Sequence, residues 1–165
     1  MKLYNKTALS DDVLSDLLVR AGRAAGARTA GVVVKIIQTK HHNKASGTAF
    51  AGEPYLWHLS RSRIRGDSRQ HLVRSDGGWF VLRVPMHHLG DPVNMAESTY
   101  ETAIHEWSHV RDYQNGLSSS YRPGKRRAKW ARRPEEIRAR NCVDSAVDKG
   151  FSAQTGESIL RLAIE

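Results

Sequence analysis

Residues 105–109 read His105-Glu106-Trp107-Ser108-His109, inside a segment whose apolar side chains recur every three or four positions. Tyr100, Ala103, Ile104, Trp107 and Val110 form one stripe, which predicts a helix packed on a core. Asn94 stands as its N-cap with Glu97 as a capping-box partner, and Asn115-Gly116 supplies the stop. Residues four apart on a helix lie one turn apart on the same face. His105 and His109 can therefore reach one metal ion from a rigid base, away from the face of Ile104 and Trp107. Glu106 projects beside them, where it can touch a metal-bound water rather than the metal. This is the residue set for a zinc ion that lowers the pKa of its water while a carboxylate takes the proton. A fold that uses it must bring a third ligand to this helix face and leave a fourth position open.

No histidine follows His109, so the third ligand is expected to be an acid. Asp112 lies one turn on, but its short side chain would follow the helix away from the ion. Glu135 and Glu136 open the next predicted helix, which has Pro134 as its first residue and ends by Gly150. Ile137, Ala139, Val143, Ala146 and Val147 line that helix. Glu136 shares the stripe of Ala139, Val143 and Val147, whereas Glu135 leads a more polar line through Arg138 and Ser145. A carboxylate on an otherwise apolar face needs a partner, and zinc would be one. Face geometry favours Glu136 over Glu135; a plain charge pair at a helix N-terminus is the alternative for both.

Upstream, Ser10 can cap a helix that runs through Val13, Leu14, Leu17, Leu18 and Ala21 and loosens at Gly22 to Gly26. The β-branched run 32–37 reads as a buried strand. Residues 41–54 are polar and glycine-bearing and read as a loop. Weaker strands are expected near 55–64 and 70–74. Asp76-Gly77-Gly78 is a turn signal before a strand over 79–84 that Pro85 ends, so 70–74 and 79–84 can form a hairpin. The expected class is α+β, a small mixed or antiparallel sheet backed by helices, in a single domain over 1–165.

The two motifs, His105-Glu106-x-x-His109 and Arg133-Pro134-Glu135-Glu136-x-x-Ala139 about 25 residues later, resemble the gluzincin pattern. The closer resemblance, over residues 79–147, is to compact zincin-like metallopeptidases of bacteriophages and bacterial mobile elements. It implies one catalytic Zn2+ held by His105, His109 and Glu136, with Glu106 as general base and acid. It also implies a helix-backed sheet whose edge strand lines the cleft and receives an extended peptide. Residues 79–84 match that strand, which makes Trp79, Val81 and Arg83 candidate substrate-binding residues. Tyr113, Tyr121 and Arg138 are candidate donors to the oxyanion, by position. Larger gluzincins carry an acid four residues beyond the glutamate to orient a histidine; Arg140 stands there, so Asp112, Asp144 or a backbone carbonyl would have to do so.

The net charge is +9, concentrated in Arg61, Arg63, Arg65, Arg69 and Arg74 and in a stretch from Arg122 to Arg133. Such patches suit nucleic acid or an acidic partner as well as plain solvated surface, so a DNA-associated peptidase is one alternative. A non-catalytic zinc-stabilised binding module is another. His41, His42, His87 and His88 read as loop residues, and Trp130 as a possible base stacker. Cys142, the single cysteine, reads as a buried hydrophobe and allows no disulfide within the chain. Residues 1–22 lack the apolar core of a signal peptide, and no run approaches the roughly 20 apolar residues of a membrane helix. A cytoplasmic location is expected, the host's if the chain is phage-encoded.

Overall fold

The computed structural model describes residues 1–39, 46–59, 71–85, 92–117 and 132–147. They form an α+β structure with a four-stranded mixed sheet, three helices and one short helical turn. In chain order these are β1 (Lys2–Lys6), α1 (Asp11–Ala24), β2 (Val33–Thr39), β3 (Gly47–Phe50), α2 (Leu56–Leu59), β4 (Trp79–Pro85), α3 (Pro92–Gln114) and α4 (Pro134–Val147). The strand order is β1-β2-β4-β3. β1 and β4 run parallel to β2, while β3 is antiparallel to β4.

The alternation of each strand sorts its side chains between two faces. Val34, Ile36, Phe80, Leu82 and Val84 face the helices and meet Leu14, Leu17, Leu18 and Ala21 of α1 and Tyr100, Ala103, Ile104, Trp107 and Val110 of α3. The stripe read on α3 is thus the buried one. Burying a side chain of this size stabilises the fold by roughly 1.5–3 kcal/mol each, so this layer holds α3 on the sheet. The opposite face carries a smaller cluster of Val33, Trp79 and Val81 under Leu59 of α2.

Five expectations are corrected. The strand at 79–85 is not an edge: β2 and β3 flank it, and the edges are β1 and β3. Its apolar run is satisfied by being covered on both faces, as central strands are. The stretch read as a loop over 41–54 contains β3, and the proposed hairpin of 70–74 with 79–84 does not form. Leu72 makes an isolated bridge to Tyr55 instead, while α2 takes residues read as a strand. Finally, α3 starts at Pro92 rather than at Asn94, because proline's fixed φ and missing N–H suit a first helical position. On α4, Ile137 is 45% exposed; it lies about 100° around the helix from Glu136 and so points off the packed side.

The end of α3 is pinned to the 76–78 turn. Gln114 Nε2 donates to the Asp76 carbonyl at 3.1 Å and to the Arg28 carbonyl at 2.8 Å. Gly77 has φ +82°, and a Cβ there would lie 2.3 Å from Gln114 Cγ, so glycine is required twice over. No helix among the described residues is long and apolar enough to cross a membrane.

Candidate metal centre

His105 and His109 project one turn apart from α3, and α4 lays Glu136 against both. His105 Nε2 and His109 Nε2 are 3.2 Å apart. Glu136 Oε2 lies 3.2 Å from His105 Nε2, and Oε1 lies 3.6 Å from His109 Nε2. Two atoms bound tetrahedrally to one ion at about 2.0–2.1 Å are separated by roughly 3.3 Å, so these spacings suit three ligands of a single metal. All three side chains converge within 4.8 Å and can hold a metal ion. The rings are tilted 76° to one another with centroids 4.9 Å apart.

Burial prepares the donors. His109 is 7% exposed, and desolvation lowers its pKa, opposed mainly by the Glu136 carboxylate. It therefore stays neutral, the form a metal requires. Glu136 is 6% exposed and Glu135 8%, but only Glu136 belongs to the cluster. Asp112 does not: its Oδ1 takes a hydrogen bond from Arg111 Nη2 at 3.2 Å and its Oδ2 one from Arg138 Nε at 2.8 Å. Arg138 is thereby committed to Asp112 rather than aimed at a substrate.

Glu106 is 5% exposed and its pKa is pushed up to about 7. Burial is the main cause; the His105 imidazole opposes it, the Glu136 carboxylate reinforces it, and Arg83 and a hydrogen bond from the Ala49 backbone pull it down. A carboxyl poised near neutrality can both take and return a proton.

Sequence reasoning missed the strand that reaches Glu106. The Arg83 N–H donates to the Ser46 carbonyl, so antiparallel alternation turns the backbone groups of Gly47 and Ala49 off the sheet edge. Gly47 passes so close that a Cβ would sit 2.4 Å from Glu106 Oε1. The available signal was weak: Thr48 and Phe50 alternate with two of the smallest residues, in a segment of only four. Gly47→Ala is expected to displace the Glu106 carboxyl while sparing the imidazoles. Metal affinity should stay unchanged while the stability gained by removing the buried charge rises or falls with the new carboxyl position; competition titration and thermal melts from pH 4.5 to 8 check this.

A cleft of about 380 Å³ opens beside the centre, lined by Ser46 and Gly47 of the edge, Glu101, Thr102, His105 and Glu106 of α3, and Arg140, Val143 and Asp144 of α4. Trp79 and Val81, offered as cleft residues, are 7% and 8% exposed and pack on the other face of the sheet. Arg83 lies on that face too and donates from Nη1 to Thr48 Oγ1 at 3.1 Å. Tyr113 follows Glu106 by two helical turns. Burial and the carboxylates of Glu106, Glu135, Glu136 and Asp112 push its phenol up to about 12, so it keeps its proton. Cys142 is partly buried against the core, with its Sγ 3.8 Å from Arg111 Nη1. Tyr121, Trp130, His41, His42, His87, His88 and most of both arginine-rich patches lie outside the described residues.

Compared with family models, characterised proteins and solved structures, the chain finds no match.

Proposed function

We propose that this protein is a zinc-dependent metallopeptidase of compact zincin-like, gluzincin type. The observation that supports it most is the 3.2 Å approach of the two Nε2 atoms with a buried glutamate completing the triangle. Apolar packing alone does not press three such groups together, since each needs a partner when it leaves water. A zinc ion there would acidify a water molecule and polarise the scissile carbonyl. His105, His109 and Glu136 would hold it, leaving one position of a tetrahedron open to the cleft.

Glu106 takes a proton from the attacking water and returns it to the leaving nitrogen, a duty that suits a buried carboxyl beside the ligand cluster. The edge of β3, which no other described strand pairs, rather than β4, offers backbone groups to an extended peptide beside Glu106. Elemental analysis of the purified protein is expected to find about one zinc per chain, and a mixed peptide library is expected to be cleaved only by the metal-loaded form. A protein that carries no zinc after loading, or that binds it and cleaves nothing, would remove the reading.

A further inference from the structure

The centre is built from two helices, so how they slide along each other sets the spacing of its ligands. α3 ends at Gln114 and α4 begins at Pro134, so the two ligand helices are separate segments of the chain. The apolar contacts of α4 come from Ala139, Cys142, Val143 and Ala146. A slip of one residue moves a helix by about 1.5 Å, whereas metal ligands tolerate about 0.2 Å.

Apart from the ligands themselves, a charged pair joins the helices, with its carboxylate buried and its guanidinium partly exposed. Asp112, 4% exposed, lies three residues after His109. Arg138, two residues after Glu136, grips its Oδ2 with Nε at 2.8 Å and Nη2 at 2.8 Å. The other oxygen receives Arg111 Nη2 at 3.2 Å, which also donates to Ser108 Oγ at 3.0 Å. Arg111 Nη1 donates to the Ala25 carbonyl at the end of α1, at 3.0 Å. Asp112 is thus fixed to α1 and α3 from one side and presented to α4 from the other. With Arg138 41% exposed at its side chain, the pair adds little net stability, and fixing register is the best attested use of such polar contacts between helices.

We propose that the Asp112–Arg138 pair is a register lock between the two ligand helices, which positions Glu136 against His105 and His109. The inference rests on the zinc reading above and deepens it. Neither residue touches the metal; both are positioning residues whose effect is read in metal affinity.

The test measures zinc affinity by competition with a chromophoric chelator, alongside the melting temperature of the metal-free protein. Arg138→Lys keeps the charge but loses the planar two-nitrogen grip. It is expected to weaken zinc binding between about 10- and 100-fold. The double variant Asp112→Asn/Arg138→Leu removes the pair but keeps an amide oxygen for Arg111; it should stay folded yet show at least the same loss of affinity. Asp16→Asn/Arg20→Gln removes an exposed ion pair on α1 and should change neither quantity. Wild-type zinc affinity in both folded variants overturns the lock and leaves the peptidase reading standing. If the double variant does not fold, Arg138→Lys decides alone. A wild type that binds no zinc overturns both proposals.

Discussion

Replacing Glu106 with glutamine is expected to lower peptide hydrolysis by about 10²–10⁴-fold while zinc stays bound, because the amide keeps the shape of the side chain and cannot accept the proton. The same variant should be more stable than the wild type when both are metal-free, at and above neutral pH. Glu106 carries a pKa of about 7 in the folded chain against 4.5 for a free side chain. Between those values the native state holds a proton that the unfolded state has released, so stability falls as pH rises from 4.5 to 7 and stays lower beyond. The span corresponds to on the order of 3 kcal/mol. Glutamine removes that loss, so the two metal-free proteins should melt alike near pH 4.5 and diverge by pH 8, with the variant higher. A cation in the centre favours the ionised carboxylate, so zinc loading should shrink the difference. Thermal melts at the two pH values, with and without zinc, read all of this; undiminished hydrolysis by the variant would end the general-base role.

Removing Glu136 should act on the metal itself. Glu136→Ala leaves two imidazoles, and zinc affinity is expected to fall by at least about 100-fold, more than the loss typical of a partner outside the ligand set. The variant also leaves His105 and His109 without the carboxylate that lies 3.2 and 3.6 Å from their Nε2 atoms. Glu135→Ala is the matched control: Glu135 is equally buried but outside the cluster. Competition titrations on the two variants should differ widely. Equal affinities would show that the neighbouring acid can substitute, and would remove Glu136 from the proposed ligand set.

Much of the centre could be read from periodicity alone. A helix of 3.6 residues per turn sets residues 105 and 109 on one face, and the apolar stripe through Trp107 says that the opposite side is buried. The same reasoning on the second helix separated Glu136 from Glu135, which the structure places inside and outside the cluster. These are local consequences of backbone geometry, and a sequence carries local geometry well. The strand at 33–39 was equally legible, since a β-branched run suits little else.

The sheet order was not local. Four residues at 47–50 have almost no strand signal of their own; β3 exists because β4 offers it a ladder, and the same pairing makes β4 interior and moves the cleft edge to Gly47. β1 was missed for the same reason, as five residues gain their conformation from parallel pairing with β2. Asp112 and Arg138 read as a spare ligand and a spare donor until the helices were brought together and each became the other's partner. The sequence by itself determined which helix faces can bind a cation and which must be buried, because both follow from spacing along one element. Only the tertiary structure decided which strand borders the cleft and how the two helices are held in step, because those depend on contacts between segments far apart in the chain.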